Sequence, residues 1–207
     1  MLPVRFIIIM ILAALCLMGT SVVAQELNLG RNDQDMALEK AESFYNSCMK
    51  RPVINSSETT NQAFCACGAV KVKEWLESPT ETEKSEFYET SEKELGEKTL
   101  IAKIYAPCLY IPMWERTYLE CLANGKHTTF TQSSEEQEVL CNCYASGIES
   151  YYRDMAQPFL EMKFAEGRRM DDPIEEVRRS QEYYAERFKL ETDCYNSIIK
   201  ARPGYGK

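Results

Sequence analysis

The chain has 207 residues, with 32 acidic against 24 basic side chains, one histidine, nine cysteines and a formal charge of -8. That balance lacks the Lys and Arg surplus that neutralises phosphate backbones, so nucleic acid is not an expected partner. The single histidine argues in the same way against a zinc centre.

Residues 1–24 read as a secretory signal, with Arg5 as the sole charge, an apolar run from Phe6 to Met18, and Val22-Val23-Ala24 before cleavage at Gln25. Gly19, Thr20 and Ser21 weaken a stretch that would need about 20 apolar residues to remain as an anchor. No other stretch has the apolar length to cross a bilayer, so no stable span is expected after cleavage. Cleavage removes Arg5 and Cys16, which takes the charge from -8 to -9 and leaves eight cysteines. An even number suits an exported, oxidised domain, in a periplasm or outside the cell.

Apolar positions recur at helical spacing and strand signals are few, so the expected class is all-α. The first unit, residues 25–110, opens with a helix over about 35–50 that places Ala37, Ala41, Phe44, Tyr45 and Cys48 on one face. Arg51-Pro52 ends it. Asn55-Ser-Ser, which matches a glycosylation acceptor, lies in a polar loop, and Thr59 with Gln62 forms a capping box for a second helix reaching about Glu77. A charged helix over about 81–95, in a stretch from Glu81 to Lys98 whose seven Glu and three Lys suit a solvated face, stops at Gly96. A further helix then carries Ile101, Ile104, Tyr105 and Cys108 on one side.

The second unit, residues 111–207, repeats this order with longer arms. Pro112 opens a helix with Trp114, Tyr118 and Cys121 that ends near Asn124-Gly125. Ser133 with Glu136, or Ser134 with Gln137, caps a long helix presenting Leu140, Tyr144, Ile148, Tyr151, Met155 and Met162, which Pro158 should kink. Gly167 ends it, and Asp172-Pro173 with Glu175 starts a last helix over about 173–200. The arms from Cys143 to Glu166 and from Asp172 to Cys194 span 23 and 22 residues, an antiparallel hairpin about 35 Å long that sets Tyr151-Tyr152 opposite Tyr183-Tyr184.

The cysteines make the two units look like a tandem duplication: Cys48, Cys65-Ala66-Cys67 and Cys108 against Cys121, Cys141-Asn142-Cys143 and Cys194. Two residues along a helix is about 200° of rotation, so the sulfurs of one doublet point to opposite flanks and must bond different neighbours. Bridges kept within a unit and alike in both units leave two patterns. The preferred one joins Cys48 with Cys67 and Cys65 with Cys108, and the second unit likewise.

His127 sits in a polar loop with no partner for general-base work. No phosphate loop, nucleophile elbow or metalloprotease helix appears, so no enzyme and no cofactor is expected. The expected function is an exported, disulfide-stabilised helical scaffold that binds another protein in the cell envelope, as an inhibitor, immunity-like or accessory factor. Its contact arm would be the long hairpin, with Tyr151, Tyr152, Arg168, Arg169, Arg178, Arg179, Tyr183 and Tyr184 as candidate contacts. The alternative is a thiol-redox or copper-binding protein that uses the Cys-x-Cys doublets with Met49, Met113 and Met155 nearby.

Overall fold

The computed structural model describes residues 34–53, 56–77, 92–124 and 131–202. The signal segment, Asn55, most of the 81–95 helix and His127 lie outside the described residues. Among the described residues the fold is all-α, with no strand.

Helix α1 covers 34–49 and buries Ala37, Ala41 and Cys48, with Phe44 and Tyr45 half-buried on the same face. Helix α2, Glu58–Glu77, starts two residues earlier than the capping box at Thr59 implied. Ser57 is the residue that caps it, accepting from the Thr60 amide at 3.2 Å. The Ser57 amide and hydroxyl donate in turn to Glu115, at 2.9 and 3.1 Å, so the cap is held from the second half of the chain.

Helix α3, Glu92–Thr99, runs through Gly96 without stopping. A glycine weakens a helix interior by about 1 kcal/mol but terminates it chiefly where a left-handed residue is needed. The helix then widens into a π-helical turn, Leu100–Tyr105, closed by the Ala106 amide donating to Ile101, and tightens into a 3-10 turn, Ala106–Cys108. Pro107, which has no N–H to donate, stands where the two irregular turns meet.

Helix α4, Tyr110–Ala123, packs along α5, Ser134–Ala165, in the most extensive helix pairing among the described residues. Ser133 caps α5 by accepting from the Glu136 amide at 3.2 Å. The helix continues past Pro158 to a Schellman ending, in which Gly167 at φ 76° donates to Phe164 and Arg168 donates to Lys163. Its buried row is Leu140, Tyr144, Ile148, Tyr152, Ala156 and Leu160. Each step of four leaves about 40° of rotation, so the row winds round the helix as the neighbours change. That winding exposes Met155 and Met162, which the sequence pattern had placed on the inner stripe.

The last arm is two helices rather than one. Helix α6, Pro173–Arg178, is capped by Asp172, whose carboxylate accepts from the Ile174 and Glu175 amides. A turn at Arg179-Ser180 intervenes, and Ser180 caps α7, Gln181–Ala201, by accepting from the Tyr183 amide at 3.1 Å. The break lets α6 turn Ile174 and Val177 into the core beside Tyr152, while α7 runs back along α5.

Four bridges join the helices: Cys48–Cys65, Cys67–Cys108, Cys121–Cys141 and Cys143–Cys194. Both doublets are helical and neither closes on itself, and both halves use the same pattern. It is the alternative to the preferred pairing. Cys65, not Cys67, faces the end of α1, and Cys141, not Cys143, faces the end of α4. The rotation between doublet members is a local property, but which flank meets the incoming helix depends on the hand of the bundle. Cys65, Cys108 and Cys141 are fully buried, and one core runs from Cys48 and Phe64 through Met113 and Leu140 to Ile198.

Candidate functional site

The α5–α7 hairpin carries the candidate contact residues, and the structure divides them. Tyr152 is fully buried and donates from its hydroxyl to the Ile174 carbonyl at 3.0 Å. Tyr183 is buried beside it, edge-on to Tyr151 and Tyr152 at centroid distances of 5.7 and 6.0 Å. These two rings are core, not contact surface, because the row on α5 and the inner face of α7 meet at that level. Tyr151 is half-buried, and only Tyr184 stands largely exposed.

Burial raises the phenol pKa of Tyr152 and Tyr183, and it pushes Tyr144 up to about 12 with Tyr183 adding to the effect. Arg187 opposes the shift at Tyr144 through its charge and a hydrogen bond. None of the three is tuned toward neutral-pH proton transfer.

The arginines divide in the same way. Arg178 donates to Glu120 at 3.0 Å and to Glu175 at 3.3 Å, and Arg116 donates to the same two acids, which ties α4 to α6. Arg178 is therefore a fastening and not a free contact. Arg168 lies 3.6 Å from Glu166 and 3.5 Å from Glu176 at the hairpin tip. Arg169 and Asp171, 3.6 Å apart, are both largely solvated, and Arg179 is exposed at the α6–α7 turn.

Beyond Tyr184 the outer face of α7 carries Phe188, which is 74% exposed, the most exposed of the large apolar side chains described. Tyr184, Phe188 and Tyr195 fall at i, i+4 and i+11, within about 40° of one line down the helix. Tyr195 is half-buried, so the line runs from solvent toward the core. Phe188 was not among the sequence candidates. The signal was its spacing from Tyr184, about a quarter turn round the helix from the inward line of Tyr183, Cys194 and Ile198.

The doublet sulfurs are all committed to bridges, and Met49, Met113 and Met155 have separate surroundings. Met113 is buried, Met49 accepts from the Asn61 amide group at 3.6 Å, and Met155 is exposed. Among the described residues no group of three or more His, Cys, Asp or Glu is arranged to hold a metal ion. No described helix is long and apolar enough to cross a membrane. Comparison with family models, with curated proteins and with solved structures finds no match to this chain.

Proposed function

We propose that this chain is an exported scaffold that binds another protein of the cell envelope through the outer face of α7. Four bridges are what a chain folded outside the reducing cytosol carries, and periplasmic or secreted residence completes the reading. The observation that supports binding is the pair of large rings left in solvent, Tyr184 and Phe188, in a helix that buries Tyr183, Cys194 and Ile198. Exposed aromatic side chains are the usual anchors of protein interfaces. The shared bridge pattern supports a tandem duplication in which the second unit extended its arms and took on the contact role. Inhibition, immunity or accessory function would all use such a face.

The test is cross-linking of the mature, oxidised protein in its native envelope extract, compared with Tyr184→Ser/Phe188→Ser. Both changes are at the surface, so the melting temperature is expected to hold while a specific cross-linked partner is lost. The same partner at the same yield from the double variant would overturn the assignment.

The thiol-redox or copper reading would require the bridges to open, and three of the eight sulfurs have no exposure at all. Intact mass of the native protein decides this point. The scaffold reading expects eight hydrogens fewer than the reduced chain and no metal, whereas bound copper or reduced doublets would favour sulfur chemistry.

A further inference from the structure

An open groove of about 690 Å³, lined by no residue of α7, lies between the end of α1, the π-helical turn and the start of α6. Its volume falls in the range of clefts that take small ligands, about 300–1,000 Å³. Phe44, Phe64, Tyr105, Ile101, Leu109 and Ile174 belong to its apolar wall. Tyr105 stacks on Phe64 with centroids 5.7 Å apart and tilts against Phe44 at 5.6 Å, so three rings form one apolar surface. The irregular turn has a structural part in this. It brings Leu100, Ile101 and Tyr105 to the groove while Ile104 stays in the interior.

The charges at the rim are unequal in their commitments. Asp172 already accepts from the Ile174 and Glu175 amides at 3.0 and 3.1 Å, and Asp171 lies 3.6 Å from Arg169. Lys50 and Arg51 also line the groove, both exposed, and neither forms an ion pair among the described residues. The charge of Arg51 is felt at Tyr105, where it opposes the rise in phenol pKa caused by burial. An aromatic-walled groove therefore has at its rim two cations that pair with no acid among the described residues.

We infer that this groove binds a small single-chain amphiphile whose apolar body lies against Phe44, Phe64 and Tyr105 and whose carboxylate is held by Lys50 and Arg51. A guanidinium presents paired N–H donors that match a carboxylate, and each buried methylene adds to the apolar contribution. Asp171 and Asp172 share the rim, but Asp172 is taken up by the α6 cap and Asp171 lies beside Arg169, whereas Lys50 and Arg51 have no ion-pair partner among the described residues, which favours an anionic end. The groove and the α7 face are separate surfaces, so the inference stands independently of the protein-binding role.

The experiment is calorimetric titration of the oxidised mature chain with straight-chain carboxylates from octanoate to tetradecanoate, each below its micelle concentration, beside the alcohols of matched length. One saturable site is expected, tightening about fourfold per added methylene until the groove is filled. The matched alcohol and the Lys50→Glu/Arg51→Glu variant should each bind about tenfold or more weakly. Ser47→Trp, at an exposed position on the groove wall, should abolish binding without unfolding the protein, whereas Phe188→Ser should bind as the parent does. The absence of saturable binding, equal affinity for alcohol and carboxylate, or unchanged affinity in either groove variant would overturn the inference.

Discussion

Tyr144, Tyr152 and Tyr183 are held protonated by their surroundings, and that has a consequence for stability at alkaline pH. An unfolded phenol ionises near pH 10, while these three keep their protons to higher pH in the folded chain, Tyr144 to about 12. Above pH 10 the unfolded state therefore binds fewer protons than the native state. The contribution of these groups is whole below pH 10 and is lost as the pH climbs toward the folded values. Urea midpoints measured at steps from pH 8.5 to about 11.5 should stay level and then fall. A midpoint that rises or remains level through that window would show that the three phenols are not shielded. Tyr152 and Tyr183 also mark what residue identity conceals. Four tyrosines in adjacent doublets look equivalent in the sequence, yet two are core, one straddles the boundary and one lies in solvent, because α5 and α7 each turn a different flank inward.

Helix pairs close up where a side chain is missing. A Cβ built on Gly147 of α5 would lie 2.5 and 2.9 Å from the two terminal carbons of Leu190 on α7, so these helices approach to the limit that glycine permits. Gly147→Ala gains about 1 kcal/mol of helix propensity but must displace Leu190, and overpacking of this kind costs about 1–3 kcal/mol. A net loss of stability is expected. The double variant Gly147→Ala/Leu190→Ala should lose less than the sum of the single changes, because the first substitution fills part of the space that the second vacates. Additive losses in a denaturation cycle would remove the close approach from the account. Helix boundaries were readable where the chemistry is local: Ser133, Gly167 and Asp172 act at the positions their residue types suggest. The turn at Arg179-Ser180 was not, because Ser180 lacks an acidic residue three positions on and the apolar spacing continues across it. Its cause is tertiary. The core needs Ile174 and Val177 beside Tyr152, and α7 needs Cys194 beside Cys143.

Across the whole molecule the four bridges close consecutive, non-overlapping loops with sequence separations of 17, 41, 20 and 51. Loops of these lengths constrain the unfolded chain by about 3–4 kcal/mol each in the chain-entropy view. Paired replacement Cys121→Ser/Cys141→Ser should lower stability by about 3 kcal/mol in chemical denaturation. Peptide mapping without reduction should recover Cys48 with Cys65 and Cys143 with Cys194. Recovery of Cys48 with Cys67 would mean that the bundle has the other hand. The two halves are also tied by the Ser57 cap on Glu115, where hydrogen bonds from Thr60 and Ser57 outweigh the effect of burial and hold the carboxyl below its ordinary pKa.

Local covalent geometry determined, from the sequence by itself, that this chain is helical and that each Cys-x-Cys doublet aims its sulfurs at different neighbours, since rotation per residue is the same in every α-helix. Spacing likewise set the hairpin register that brings Tyr183 beside Tyr151 and Tyr152. Only the tertiary structure decided which sulfur meets which helix, which tyrosines face water, and that α1, the π-helical turn and α6 enclose a groove. Those outcomes depend on the side of a helix that a distant segment packs against, and that choice is made by the sum of contacts between residues far apart in the chain.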